Sequence, residues 1–119
     1  MTEVLAKLIS EINPIIKIGD DWVSSETEYP YCNYSYDEGE TEQRSDMQFI
    51  LNIWDRSTSV APVEGLAKDI RQKIDRKVYN LDNKLVWIYF NTMQTVRDED
   101  QRIKRRRQVY DIFIYDKED

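Results

Sequence analysis

Apolar residues recur at intervals of three and four positions near the start of the chain, which predicts an amphipathic helix. This stripe consists of Val4, Leu5, Leu8, Ile9, Ile12 and Ile16. Pro14 is expected to end or kink the helix near Asn13, because the residue before a proline avoids the α region. A second stripe predicts a helix of about four turns with a proline, Pro62, in its first turn. Its apolar members are Val63, Ala67, Ile70, Ile74 and Val78.

The remaining segments alternate apolar and polar residues with period two, which is the pattern of β-strands. An aromatic-rich strand over residues 29–36 is followed by a solvated hairpin loop and a second strand over 45–55. Residues 84–96 and 101–115 predict a second hairpin. The predicted order is α-β-β-α-β-β, in one α+β domain over residues 1–119. Because hairpins favour antiparallel pairing, we expect an antiparallel four-stranded sheet with two helices packed on it.

Both faces of the predicted strands carry apolar side chains. Trp87 and Tyr89 alternate with Ile88, and Trp54 lies on the face opposite Phe49. Two helices that pack side by side cover one face of such a sheet and leave aromatic surface exposed on the other, which usually marks an interface. The alternative is that one helix packs on each face. Self-association is the favoured interpretation, with Trp54, Trp87 and Tyr89 as candidate interface residues.

Charge is distributed unevenly along a chain whose net charge is −6. The acidic stretch between the first two strands includes Asp37, Glu38, Glu40 and Glu42, and the last hairpin holds the basic segment Arg102, Lys104, Arg105, Arg106 and Arg107. The basic segment is typical of a contact with phosphate or with an acidic protein, and equally of a solvated strand end that neutralises the preceding acidic turn. The net acidity and the lack of a glycine-aromatic RNA-binding motif argue against nucleic acid.

The chain has no histidine and one cysteine, Cys32. A Ser-His-Asp or Cys-His catalytic arrangement and a histidine-based zinc site therefore cannot be built from its residues. The acidic stretch lacks the ligand spacing of an EF-hand calcium loop, and carboxylate pairs suited to glycoside hydrolysis arise by chance among 23 acidic residues. No apolar run reaches the roughly 20 residues that cross a bilayer. We therefore expect no enzyme activity, no cofactor, no metal site and no membrane insertion.

Three segments in this layout resemble a known family. They are Tyr29-Pro-Tyr31 at the start of a strand, Gln48-Phe-Ile-Leu-Asn-Ile-Trp-Asp-Arg56 in the next strand, and Val63-Glu-Gly-Leu-Ala-Lys-Asp-Ile70 in the second helix. Together with the first helix and the closing hairpin, they are similar to the tail-completion and tail-terminator proteins of siphophages and their prophages. The resemblance spans nearly the whole chain and is one of pattern and size.

Members of that family have an α+β fold and assemble as a ring, commonly hexameric, that caps the tail tube and joins the tail to the filled head. The resemblance implies three partners: further copies of the chain, the major tail tube protein and the head-tail connector proteins. It also implies a location in the host cytoplasm during assembly and at the head-proximal end of the virion tail afterwards. A ring needs two different complementary patches on each subunit, for which the acidic stretch and the basic segment are a natural pair. Two alternatives stay open: a protein- or nucleic-acid-binding adaptor that uses the basic hairpin, and a neck adaptor on the head side.

Overall fold

The computed structural model of the chain describes residues 2–20, 28–38 and 47–116. It contains one six-stranded mixed sheet and two helices. The elements are, in chain order, α1 (Thr2–Ile12), β1 (Ile18–Gly19), β2 (Tyr31–Glu38), β3 (Met47–Arg56), α2 (Ala61–Ile74), β4 (Val78–Leu81), β5 (Lys84–Val96) and β6 (Ile103–Asp116). The strand order across the sheet is β1-β2-β3-β6-β5-β4. β1 is parallel to β2, and every other neighbouring pair is antiparallel.

The prediction of an antiparallel four-stranded sheet in the order α-β-β-α-β-β is wrong in two places, both at the margins of the sheet. β1 has only two residues, too few for a period-two alternation to be recognised in the sequence. β4 lies in a segment where the helical stripe continues through Val78 and the Asn80–Asn83 run predicts a break. The two-residue turn Asp82-Asn83 instead closes a third hairpin, in which Leu81 pairs with Lys84.

α2 ends at Ile74 because the residues that follow it form hydrogen bonds with β5. Asp75 has extended backbone angles, and its carboxylate accepts a hydrogen bond from the Phe90 amide at 2.7 Å. Arg76 takes a positive φ of 64° and donates its amide to the Ile88 carbonyl at 2.7 Å. The Ile88 amide then bonds to the Lys77 carbonyl at 3.0 Å. These bonds turn the chain out of the helix and into β4.

Both helices contribute to one hydrophobic core on a single face of the sheet. Its helical members include Val4, Leu8, Ile12, Val63, Ala67, Ile70 and Ile74, and its strand members include Cys32, Phe49, Leu51, Ile53, Val86, Ile88, Tyr110 and Ile112. The strand members are alternate residues, as expected for one face of a pleated sheet. The intervening residues therefore form a second face that points away from both helices.

Alkaline pH is expected to destabilise the fold through Cys32. Burial raises the pKa of its thiol from 9.0 to about 12, so the unfolded chain loses this proton at a lower pH than the folded one. The stability that the neutral thiol contributes is complete below pH 9 and is lost as pH rises toward 12. The free energy of unfolding should fall by about 1.4 kcal/mol per pH unit in this range from Cys32 alone. Urea denaturation across alkaline pH tests this: a Cys32→Ala variant should show a shallower pH slope, and an identical slope would contradict it.

Candidate assembly surface

The face of the sheet opposite the helices carries a row of apolar side chains across three strands, called the aromatic strip below. It consists of Val78, Trp87, Tyr89, Phe113 and Tyr115. Trp87 stands opposite Phe113 and next to Tyr115, whose ring centroid is 5.4 Å from its own. The ring centroids of Tyr89 and Phe113 are 5.8 Å apart, in an edge-on arrangement. The rings therefore support one another on rigid strands.

Much of the aromatic strip is open to solvent. Tyr89 is 40% exposed, Tyr115 51% and Val78 53%, while Trp87 and Phe113 are half-buried. Neither α1 nor α2 covers it, because the buried side chains of both helices belong to the core on the other face. A contiguous apolar surface on a well-ordered strand scaffold is the usual form of a protein–protein contact site.

The same face also holds a buried polar cluster farther across the sheet, on β2, β3 and β6. Arg105 donates two hydrogen bonds to the Asn52 side chain, at 3.2 and 2.7 Å, and its guanidinium lies 4.3 Å from the Trp54 ring centroid. The Trp54 indole donates to the Asn33 side chain at 3.4 Å. Trp54 is only 6% exposed. It therefore supports this face from within and offers little surface to a partner.

The basic segment is divided between the two faces, because successive residues of β6 point in opposite directions. Arg105 and Arg107 lie on the face of the aromatic strip, whereas Arg106 points toward the helices. Arg106 is 6% exposed and donates both Nε, at 2.8 Å, and Nη2 to one carboxylate oxygen of Glu64 in α2. Arg107 makes no ion pair within the described part of the chain, so its charge on this face stays available to a partner.

The other two bases of the segment have partners near the hairpin turn. Arg102 forms an exposed bidentate pair with Asp100, with nitrogen–oxygen distances of 3.1 Å. This pairing lowers the pKa of the Asp100 carboxyl. Lys104 donates to the Gln101 carbonyl oxygen. Asp100 thus offsets the charge of Arg102, whereas Lys104 keeps its positive charge.

Only part of the predicted acidic stretch falls within the described structure. Asp37 is exposed near the end of β2, and Glu38 is the last residue of that strand. Glu40 and Glu42 lie outside the described residues. Asp37 and the aromatic strip lie toward opposite edges of the sheet, since β2 is near one edge and β4 forms the other.

Sequence reasoning missed several contributors to this face. Phe113 and Tyr115 follow from the same alternation that places Trp87 and Tyr89 together, so the strip could have been extended along the last strand. Val78 was assigned to the second helix because its spacing continues the helical stripe, so its place in a strand was missed. The contacts of Asn33 and Asn52 depend on which strands are neighbours, and strand order has no local signal in the sequence.

Glu64→Ala is expected to reduce the free energy of unfolding by about 1–2 kcal/mol, because it leaves the Arg106 guanidinium buried without its carboxylate. This loss is smaller than for a fully buried ion pair, because the Glu64 side chain is 46% exposed and solvent screens its charge. Arg106→Met should cost less, because it removes the buried charge together with the pair. Urea denaturation of both variants measures the difference, and a larger loss for Arg106→Met would contradict this description.

No group of acidic or cysteine side chains within residues 2–20, 28–38 and 47–116 is arranged to hold a metal ion. None of the helices in these ranges is long and apolar enough to cross a membrane. No protein-family model matches the chain, and no curated protein matches it either.

Proposed function

We propose that the chain is a ring-forming structural subunit of a phage or prophage tail, which caps the tail tube and helps to join the tail to the head. The observation that carries this proposal is the aromatic strip, a solvent-exposed apolar surface on the face that neither helix covers. The resemblance of the sequence pattern to tail-terminator proteins also supports it.

A closed ring requires head-to-tail contacts, so each subunit presents two unlike surfaces on opposite sides. The sheet is suited to this because its two ends differ. One end carries the aromatic strip on β4, β5 and β6, and the other carries the acidic end of β2 with Asp37. Arg107 lies on the strip's face of β6 and supplies a positive charge there. The aromatic strip is then the surface that contacts the tube, and the charges set which sides of neighbouring subunits meet.

The second candidate function is an adaptor that binds a protein or a nucleic acid through the basic hairpin. It receives less support because Arg102, Arg105 and Arg106 already bind partners within the chain. A neck adaptor on the head side would use the same aromatic strip with a different partner. It is therefore distinguished from a terminator only by what the protein binds.

Tube growth gives the direct test of capping. Tail tube protein that polymerises in vitro should stop elongating when the chain is added in amounts close to the number of tube ends, and electron microscopy should show extra density at one end of each tube. Binding along the tube wall, or tube lengths that do not change, would contradict the proposal. Retention of DNA or RNA at physiological salt would favour the adaptor instead.

A further inference from the structure

Both edges of the sheet are only half covered by their outer strands. β4 pairs with β5 over Lys84–Trp87. Beyond the bulge at Asn91, no strand among the described residues pairs with the outer edge of β5 as far as Val96. On the opposite edge, β1 pairs with Cys32 and Asn33 alone, and no described strand lies beside Tyr34–Glu38 of β2.

We infer that these two half-edges join neighbouring copies of the chain, so that the free edge of β5 in one subunit pairs with the free edge of β2 in the next. This inference rests on the proposed ring and names the contact that would build it. It makes the sheet continuous from subunit to subunit, with backbone hydrogen bonds across each interface.

The free edge of β5 lacks the charges and prolines that commonly keep strand edges from pairing. Residues 91–96 read Asn-Thr-Met-Gln-Thr-Val, with no charge and no proline, in a chain of which 34% is charged. Met93 is 41% exposed, and Gln94 and Thr95 are exposed as well. The bulge at Asn91 lies at the start of this edge, and the uncharged residues beyond it are a template for another strand.

On each uncovered edge, every second backbone amide points outward, away from the sheet. The existing hydrogen bonds at the two edges show which amides these are. In β5 the amides of Ile88 and Phe90 point outward, to the Lys77 carbonyl and the Asp75 carboxylate. The one-residue bulge at Asn91 shifts this alternation by one residue, so the next amides that point outward are those of Met93 and Thr95. In β2 the Cys32 amide points outward to the Lys17 carbonyl. By alternation, the backbone amides of Tyr34, Tyr36 and Glu38 point outward as well.

The direction of the strands and the phase of their hydrogen bonds restrict the register. β5 and β3 are both antiparallel to β6, and β2 is antiparallel to β3, so a neighbour in the same orientation presents β2 antiparallel to β5. Gly19 already occupies the position beside Asn33, which prevents Val96 from pairing there. Among the registers that remain, the one with Thr95 opposite Tyr36 of the next copy pairs the most residues of the two described strands. It places Val96 opposite Ser35 and Gln94 opposite Asp37.

This register offsets neighbouring subunits from one another along the strand direction. Within one subunit, Thr95 pairs with Arg106 of β6. Tyr36 pairs with Phe49 of β3, which in turn pairs with Tyr110 of β6. The difference of four positions corresponds to an offset of about 13 Å along the strands. Strands that are inclined to the axis of a closed assembly produce offsets of this kind. The offset also keeps β1 of one copy clear of β5 in the other.

The register also brings opposite charges closer together on the face of the aromatic strip. It places Asp37 of one copy beside Gln94 of the next, and Gln94 pairs with Arg107 within its own subunit. The exposed carboxylate thus lies two strands from Arg107, which makes no ion pair in the described part of its own chain. Complementary charge at this position favours pairing of unlike edges over pairing of two β5 edges.

Cysteine cross-linking tests the register. Val96 and Ser35 of adjacent copies would form a non-hydrogen-bonded pair with a Cα separation of about 4.5 Å, within the range of about 4.4–6.8 Å that a disulfide spans. The double variant Ser35→Cys/Val96→Cys should give a ladder of covalent dimers, trimers and larger species up to the ring under mild oxidation. Cys32 will not interfere, because it is buried and its thiol pKa is about 12.

The matched control moves one cysteine by four residues on the same face of β5. Ser35→Cys/Thr92→Cys separates the thiols by about 13 Å along the strand and should give no ladder. Each single variant should stay monomeric on a denaturing gel. A covalent dimer from Gln94→Cys alone would indicate two-fold pairing of β5 edges and would overturn the inference.

The outcomes separate this inference from the proposed function. Rings seen by light scattering without a ladder from Ser35→Cys/Val96→Cys would overturn the edge pairing and leave the ring intact. A ladder from that variant alone would support both. Neither rings nor a ladder, both with and without tail tube protein and with circular dichroism showing a folded chain, would overturn both, because disulfides trap even a minor paired population.

Discussion

Trp87→Glu/Tyr89→Glu is expected to abolish binding to tail tube protein while the subunit stays folded. Both side chains lie in the aromatic strip, on the face that neither helix covers, so the change places two charges in the surface that is proposed to contact the tube. Loss of a central aromatic contact costs about 2–4 kcal/mol of binding free energy, or about 30- to 1,000-fold in Kd. Desolvation of the new carboxylates adds to this loss. Light scattering of wild-type and variant protein with tail tube protein measures the effect.

Ala6→Glu is the matched control for added charge at an exposed apolar position. Ala6 is exposed on α1, on the helix side of the sheet and away from the aromatic strip. This variant should bind tail tube protein as the wild type does. Circular dichroism should show native secondary structure for both proteins. Binding of Trp87→Glu/Tyr89→Glu to tail tube protein at wild-type affinity would remove the strip from the interface.

Phe49→Ala is expected to cost about 3–5 kcal/mol in the free energy of unfolding, a large part of the total for a domain of this size. Phe49 is fully buried in β3, pairs with Tyr110 and packs against Tyr34 with 5.9 Å between ring centroids. The cavity would lie at the centre of the sheet, where paired strands on both sides limit relaxation. Urea denaturation followed by tryptophan fluorescence measures the loss.

Phe113→Ala provides the comparison, since it removes the same side chain from the opposite face of the sheet. Phe113 is half-buried, so this variant should cost less than half as much as Phe49→Ala. Equal losses at the two positions would mean that the aromatic strip belongs to the folding core of the monomer. In that case the strip would not be a surface kept for a partner.

The long amphipathic elements could be predicted from sequence because each carries its own periodic signal. The first stripe gives α1, and alternation around Trp87 and Ile88 gives β5 at its observed bounds. β1 and β4 could not be predicted, since two-residue and four-residue strands carry little periodicity. Val78 shows the conflict most clearly: its spacing fits the helix, yet the bonds of Asp75 and Arg76 to β5 decide its conformation.

The candidate surface was predictable to the extent that it depends on alternation within one strand. Trp87 and Tyr89 were identified in this way. The role of Trp54 was not, because its burial depends on Arg105 across the sheet. Likewise, five neighbouring bases in sequence do not make one basic patch when the strand directs Arg106 to the helices. Cross-strand register, which sequence alone does not give, decides both cases.

The mass of the protein in solution, with and without tail tube protein, tests the central claim most directly. Multi-angle light scattering should give a closed oligomer with an integral number of 14.3 kDa chains, either for the chain alone or, after subtraction of the tube protein's mass, for its complex with tail tube protein. The mass of this oligomer should stay constant as the protein concentration rises, because a ring closes on itself. A monomer under both conditions, or a mass that grows without limit, would contradict the account.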